Sequence, residues 1–304
     1  MARAHKYATD DEVRRVAEQV WAHCQAEATE QLLPSAVSRV FGERDVLAHS
    51  SYTDALGSLL ARKLHTAVAG PSHAGTPAGT REELEALRAT MAEILSRPAT
   101  LRAIIADLAC GITTDPAIQL LLQPVFFHKG PLAVATHRCA HALWRQQDRA
   151  GALLLHSAAS QTWGVDIHPA AQLGDGIYID HGTGVVIGAT AVVGSNVQLM
   201  HSVTLGSTGR STPGAKRHPT VGSHTSLGCG ATVLGDITIG EGAVVAAQAV
   251  VTRNVPAGAA IIGVNHMLRA KRADDATQWS EQLLYLPTYH TETVTEAAGI
   301  GQGI

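Results

Sequence analysis

The chain is poor in aromatic residues, clustered cysteines and long apolar runs, and each deficit excludes a class of protein. Aromatic residues make up 4% and charged residues 16% of its 304 residues. Its four cysteines form no CxxC pair, which argues against a disulfide framework or zinc ribbon and for reduced thiols. No run of eighteen apolar residues occurs, residues 1–11 lack an apolar signal core, and the net charge is -3. We therefore expect a soluble cytoplasmic protein with no membrane or nucleic-acid partner.

The second half is rich in one pattern, a six-residue repeat of aliphatic side chains. Its members form three runs with a spacing of six: Ile167, Leu173 and Ile179; Ile187, Val193, Leu199 and Leu205; and Val221, Leu227, Val233, Ile239, Val245 and Val251. A period of six fits neither an α-helix nor an isolated strand, and it is typical of a parallel β-helix. Each repeat would supply one short strand and one corner around a narrow core.

The first half carries helix signals instead. Three pairs of residues have capping-box spacing ahead of an apolar helical face: Thr9 with Glu12, Ser51 with Asp54, and Thr80 with Glu83. Pro98 should stop the third of these helices, the next helix should end at Gly111, and the helical pattern is broken again near Gly130. We predict a multi-domain α+β protein: an α-helical bundle over residues 1–163, a β-helix over 164–270 and a C-terminal tail over 271–304.

The hexads are interrupted twice, and polar residues cluster at the interruptions. Val185–Val186 reads as an extra pair, and Gly206–Thr220 is a longer break. Insertions in repeat proteins form loops on one face, often the binding face. Asp180 and His181 precede the first break, and His201 follows twenty residues after His181. If a coil is three hexads, the two histidines should lie on the same side of stacked coils.

Several motifs resemble those of the serine acetyltransferases, and the resemblance extends over nearly the whole chain. They are Asp166-Ile167-His168-Pro169, Asp180-His181-Gly182-Thr183-Gly184, Val203-Thr204-Leu205-Gly206, Arg217-His218-Pro219, Trp21–Ala28, Asp115-Pro116-Ala117 and the terminal Gly303-Ile304. The resemblance implies a left-handed β-helix, and trimers joined into hexamers by the helical domain. It also implies acetyl-CoA as the acetyl donor, L-serine as the acceptor and no metal.

The resemblance implies that His181 is the catalytic base. A serine hydroxyl is a poor nucleophile until a nearby imidazole takes its proton. Asp166 would orient His181 and stabilise its imidazolium form. The structural alternatives are a corner histidine bonded to backbone and a turn aspartate.

Four further residues would bind the amino-acid substrate. Arg217 and His218 would hold the serine carboxylate, and Asp180 would face its ammonium group. Asp115 would also contact serine, and its structural alternative is a helix N-cap followed by Pro116.

The donor site would lie along the corners of the β-helix. Backbone N–H groups at Gly206 and Ser207 could hold CoA or the developing oxyanion, although the family usually has two successive glycines here. Cys229 and Ala247 match small residues of the family's CoA groove. The product would be O-acetyl-L-serine, formed by direct attack in cysteine biosynthesis, with L-cysteine as a feedback inhibitor at the serine site.

The C-terminal Ile304 is the predicted contact for a protein partner. In the family this isoleucine enters the active site of O-acetylserine sulfhydrylase (cysteine synthase), because such a pocket can capture an apolar end with a free carboxylate. Residues from about 291 lack periodicity and contain three glycines, so we expect a mobile tail.

Two other functions compete with acetyl transfer. Some trimeric β-helices hold zinc between subunits, and His181 with His201 and either His218 or His224 could do so. A regulatory scaffold that binds the sulfhydrylase without transferring acetyl groups is the second alternative. The Asp-His and Arg-His-Pro motifs are not those of the zinc proteins, and the presence of Asp166, Asp180 and His181 argues against the scaffold.

Overall fold

The computed structural model describes residues 9–69, 80–209 and 214–268. By its contacts the chain forms two compact units, one ending at His128 and the other beginning at Lys129. In the first unit lie α1 (Asp10–Glu27), α2 (Ala36–Phe41), α3 (Tyr52–Ala69), α4 (Arg81–Ser96) and α5 (Pro98–Thr114), with π-helical turns at Ala28–Leu32, Gly42–Leu47 and Gln123–Phe127. The second unit opens with α6 (Lys129–Arg145) and α7 (Arg149–Trp163).

The predicted helix starts are largely confirmed. Reciprocal capping boxes begin α1, at Thr9 and Glu12, and α4, at Thr80 and Glu83. At the start of α3, Ser51 Oγ accepts the N–H of Asp54, while the Asp54 carboxylate bonds instead to His49 and Arg88.

Helix ends are predicted less well than helix starts. Helix α4 ends at Ser96, before Pro98, as expected, and Pro98 then opens α5. Helix α5 passes the predicted end at Gly111 and stops at Thr114. The expected break near Gly130 is the first turn of α6, and the irregular stretch precedes it. Every helix in the described ranges is too short or too polar to cross a membrane.

The second half is a parallel β-helix, as predicted. Its strands are β1 (Val165–Ile167), β2 (Gln172–Leu173), β3 (Ile177–Ile179), β4 (Val185–Ile187), β5 (Val192–Val193), β6 (Val197–Leu199), β7 (Thr204–Gly206), β8 (Thr220–Val221), β9 (Ser226–Leu227), β10 (Thr232–Leu234), β11 (Thr238–Ile239), β12 (Val244–Val245), β13 (Val250–Val251), β14 (Ala260–Ile262) and β15 (His266–Leu268). The first sheet is β1-β4-β7-β10-β13, the second β2-β5-β8-β11, and the third β3-β6-β9-β12-β14. Antiparallel β15 lies at the edge of the third sheet, beside β14.

The hexad residues form the core of this β-helix. Of the thirteen aliphatic residues only Leu173 is partly exposed, and the other twelve are buried. Burial of one such side chain stabilises a fold by roughly 1.5–3 kcal/mol, so the repeat supplies much of the stabilising free energy. Aliphatic partners stack coil upon coil, as Ile167 does on Ile187, and Ile187 on Leu205.

The first interruption lies elsewhere than the sequence suggests. Val185 pairs with Val165 in the regular register of β4, so the prediction that the two valines are the extra pair is wrong. The Asp180 N–H bonds to Leu199, and the Ser202 N–H bonds to Thr183. Three residues, His181–Thr183, therefore stand where the next coil has His201 alone, so this corner contains an inserted pair.

Candidate active site

The inserted pair presents His181 at the corner between the third and first sheets. His181 and Gly182 both have left-handed backbone, with φ of 57° and 73°. This conformation is uncommon for a side chain larger than glycine, and such outliers cluster at functional sites. The His181 side chain is 70% exposed, and its Nε2 lies 3.5 Å from Asp180 Oδ2. An exposed imidazole beside a carboxylate can accept a proton from a bound hydroxyl.

His181 and His201 lie together, as the twenty-residue spacing predicts. Their ring centroids are 5.6 Å apart, with an interplanar angle of 72°. His201 occupies the same corner in the next coil, because the Ser202 N–H bonds to the Thr183 carbonyl and the Gly230 N–H to the His201 carbonyl.

The same corner carries the two residues predicted to line the CoA groove. Cys229 follows His201 in this column, and Ala247 follows Cys229, since the Gln248 N–H bonds to the Cys229 carbonyl. Cys229 is partly exposed and Ala247 is exposed. Beyond His201 the column therefore continues with small side chains, which leave room for an extended ligand.

The first turn of α6 braces the inserted pair, a feature that sequence reasoning missed. The Lys129 ammonium donates to Thr183 Oγ1. Gly130 packs so closely on the Ile179 carbonyl that a Cβ would clash with it. The helical signal around Gly130 could not reveal this, because the contact joins residues about fifty positions apart.

A second group of predicted residues lies at the corner between the first and second sheets. The Thr190 hydroxyl oxygen accepts the backbone N–H groups of Arg217 (2.9 Å) and His218 (3.1 Å). His218 Nδ1 accepts the Thr190 N–H at 3.1 Å, so the ring proton of the neutral form lies on Nε2. The His218 ring packs on Gly188, where a Cβ would clash with it. His218 is thus buried and rigidly held, whereas Arg217 is exposed.

Two histidines at this corner, His218 and His168, favour the neutral form. Burial lowers the pKa of His218, and the charges of Arg217 and Lys216 lower it further. Burial also lowers the pKa of His168, with smaller effects in the same direction from His156 and Arg217 and an opposing effect from Asp166.

Asp166 has a different partner from the expected one. Within the chain its Oδ1 lies 2.6 Å from Nε2 of His156, a residue of α7, and the hydrogen bonds and ion pairs of the described chain do not join it to His181. The expected Asp166–His181 contact is therefore absent from the single chain. His156 carries no motif, and only the folding of α7 against β1 brings it to the site.

The remaining predicted residues lie in separate places. Asp115, in the first unit, follows α5, and its Oδ1 accepts the Ala117 N–H at 2.9 Å in a turn, so the N-cap alternative is wrong. Gly206 ends β7, and Ser207 Oγ accepts the Gly209 N–H at 3.1 Å. The tail and Ile304 lie outside the described residues.

A metal centre finds little support in the described ranges. No group of three or more His, Cys, Asp or Glu side chains there could hold a metal ion. His181 and His201 do pair, but His218, one possible third ligand, lies at the other corner with Nδ1 bonded to Thr190. All four cysteines are free thiols, as predicted.

The two corners flank the first sheet of the β-helix. Gly184, beside the inserted pair, and Gly188, beneath His218, are four residues apart along β4. Extended chain of that length spans roughly 13 Å. One chain therefore holds its predicted base and its predicted carboxylate-binding residues at separate edges of one sheet.

Fold and site together define a hexapeptide-repeat protein with a helical N-terminal region and a histidine-bearing corner. Two family models match: "Serine acetyltransferase, N-terminal" over residues 20–136 and "Bacterial transferase hexapeptide (six repeats)" over residues 218–253. The probable serine acetyltransferase 3 of rice (Oryza sativa subsp. japonica) is 43% identical over 72% of this chain and 69% of its own length. The chain belongs to the serine acetyltransferase family, whose members are acyltransferase enzymes.

Solved structures of similar proteins include three ligand complexes. A soybean serine acetyltransferase complexed with serine is 38% identical, with a TM-score of 0.75 over 83% of this chain and 99% of that one. The enzyme from Brucella abortus strain S19 in complex with coenzyme A is 34% identical, with a TM-score of 0.71 over 82% and 97%. A serine acetyltransferase in complex with cysteine is 32% identical, with a TM-score of 0.76 over 89% and 98%.

Proposed function

We propose that the protein is a serine O-acetyltransferase that transfers the acetyl group of acetyl-CoA to L-serine in cysteine biosynthesis, in the cytoplasm. The observation that carries this proposal is the exposed His181 at an interrupted corner, beside His201 and the small side chains that follow it in the column. The family's serine and coenzyme A complexes agree with the two substrates. Release of CoA with L-serine but not with L-homoserine would support it, and no release with L-serine would refute it.

The transfer proceeds in one direct step on the enzyme. His181 takes the hydroxyl proton of serine as its oxygen attacks the thioester carbonyl. Backbone N–H groups near Gly206 and Ser207 stabilise the oxyanion of the tetrahedral intermediate. The carbon–sulfur bond then breaks, and the His181 imidazolium returns the proton to the CoA sulfur. The products are O-acetyl-L-serine and CoA, and no acetyl-enzyme forms.

The substrate is held by groups of opposite charge. Arg217 and the Nε2–H of His218 bind the serine carboxylate, since a forked guanidinium and a fixed ring donor suit two carboxylate oxygens. Asp180 binds the ammonium group, with Asp115 of the helical unit as a further contact. Cys229 and Ala247 line the path of CoA.

We infer that the complete site forms between neighbouring chains of a homotrimer, two of which make a hexamer. The separation of the two corners supports this, because a β-helix has no deep cleft of its own and a cleft needs a second surface. In such a trimer, Asp166 of one chain orients His181 of the next.

Mixed assemblies test the shared site. His181→Ala and Arg217→Ala should each be nearly inactive alone. After the two proteins are unfolded and refolded together, some interfaces would join the intact corner of each variant, and part of the activity should return. Activity that stays at the level of the separate variants would show that one chain contains the whole site.

Two regulatory interactions accompany this proposal. L-cysteine should compete with L-serine, because sulfur for oxygen is the one difference between them and the same charged groups hold both; the family's cysteine complex agrees. Ile304 should bind O-acetylserine sulfhydrylase. Deleting Ile304 should abolish that binding in a calorimetric titration while acetyl transfer stays nearly unchanged, and equal binding with and without Ile304 would remove this partner.

A further inference from the structure

The hydrogen bond between His156 and Asp166 involves the carboxylate that is proposed to orient His181. The two side chains are 20% and 48% exposed, and Nε2 to Oδ1 is 2.6 Å. An ionised carboxylate can only accept, so Nε2 of His156 carries the proton. His156 therefore donates a charge-assisted hydrogen bond, a type roughly twice as strong as a neutral one.

The pairing follows from the way the chain reverses at Gly164. Helix α7 ends at Trp163, Gly164 has left-handed backbone with φ of 66°, and β1 begins at Val165. His156 lies about 10 Å back along the helix axis from Trp163. Asp166 lies within roughly 10 Å of Trp163 along extended chain. The two residues therefore lie at similar distances on either side of the chain reversal, so their side chains meet.

Asp166 points outward from the β-helix at this point. It stands between the buried residues Val165 and Ile167, so the alternation of the strand turns its side chain away from the core. One hydrogen bond to Nε2 leaves the carboxylate further lone pairs with which to accept. Asp166 can thus be held by His156 and still orient another imidazole.

Other charged or titratable side chains lie near this pair, but the hydrogen bond to the Asp166 carboxylate comes from His156. The His168 ring is 5.8 Å from the His156 ring, and its Nδ1 accepts the Ala170 N–H at 3.0 Å. The charges that act on His168 are those of His156, Asp166 and Arg217, and buried His137 also interacts with His156.

We propose that His156 is a positioning residue that holds the Asp166 carboxylate in place for acetyl transfer. This inference rests on the proposed function, because Asp166 acts there on His181. His156 touches neither substrate in this scheme and acts through Asp166 alone.

Two substitutions of His156 separate positioning from packing. His156→Gln keeps an N–H donor, whereas His156→Leu removes the donor at similar size. We expect His156→Leu to lower kcat roughly tenfold with little change in the serine KM, because an orienting hydrogen bond is lost. His156→Gln should keep most of kcat, because its side-chain amide can still donate to the Asp166 carboxylate. His224→Leu, at an exposed corner with φ of 58°, is the control and should leave both unchanged.

The decisive measurement places His156→Leu in an Asp166→Asn background. If His156 acts through Asp166, the second substitution should add almost no loss of kcat, since coupled residues are not additive. Additive losses, or a His156→Leu enzyme with the kcat of the unaltered protein, would overturn the proposal. If His156→Leu does not fold, a His156→Gln enzyme that loses as much kcat as Asp166→Asn overturns it instead. Absence of any turnover by the unaltered protein would instead refute the proposed function.

Discussion

The two corners of the first sheet each carry a histidine, but the two histidines differ in exposure and in how tightly they are packed. At one corner His181 is 70% exposed and has left-handed backbone, where the inserted pair lengthens the coil. At the other, His218 is 7% exposed, its Nδ1 is bonded to Thr190, and its ring packs on Gly188. An exposed imidazole can exchange protons with a ligand. A buried neutral ring with one fixed N–H donor can only donate a hydrogen bond to a ligand. This difference supports the proposal that the first corner transfers the proton and the second binds the serine carboxylate.

The largest effect should come from removing the exposed imidazole. His181→Ala should lower kcat by at least about 100-fold, the usual contribution of a general base. The matched control is His224→Ala, which removes another exposed corner histidine with similar backbone and should leave kcat near normal. Steady-state CoA release measures both. A His181→Ala enzyme with near-normal turnover would contradict the role given to this corner.

A smaller effect should follow from obstructing the column below His181. Ala247→Glu places a bulky negative charge on the proposed path of a polyanionic donor. The KM for acetyl-CoA should rise roughly tenfold, a change of about 1.4 kcal/mol, while the KM for serine stays nearly constant. If the serine KM rises instead, the two substrates have been assigned to the wrong corners.

Loosening the second corner should affect serine binding specifically. Thr190→Val leaves the N–H groups of Arg217 and His218 without their acceptor, whereas Thr190→Ser keeps the hydroxyl. An unsatisfied donor costs about 1–3 kcal/mol when buried and less when exposed, so we expect the serine KM to rise several-fold in the valine variant alone. Equal KM values for the two variants would mean that this hydroxyl does not organise the corner.

The smallest effect concerns stability and pH. Burial lowers the pKa of His137 well below its ordinary value of 6.5, and His141 and Arg138 add to this. The folded chain keeps His137 neutral, while the unfolded chain binds a proton as the pH falls below that value. The contribution of neutral His137 to the free energy of unfolding is therefore complete above about pH 6.5 and is lost as the pH falls below it.

His137→Gln removes this titration. Its melting temperature should fall less than that of the unaltered protein between pH 7.5 and 5.5, with about 2–4 °C for each kcal/mol. His168 and His218 remain in both proteins, so the difference measures the contribution of His137. Equal declines in melting temperature would show that its burial is not linked to stability.

Local and periodic features of this protein were predictable from its sequence. The hexads predicted the core of the β-helix, because every sixth residue of a coil points inward wherever the coil lies. The capping boxes at Thr9 and Thr80 predicted two helix starts, since both partners lie within one turn. The spacing of His181 and His201 predicted their contact, because whole coils can be counted along the chain.

Tertiary structure decided the contacts that depend on register or on distant partners. Counting hexads shows that two residues are extra but not where they lie, and the hydrogen bonds between coils place the insertion within His181–Thr183. Nothing in the local pattern pairs His156 with Asp166 or Thr190 with His218, since these contacts need α7 folded on β1 and a long loop returned to the corner. The repeat determines the core because the same position of each hexad is buried in every coil. The site depends on where the repeat is interrupted, and only the folded structure shows which residues meet there.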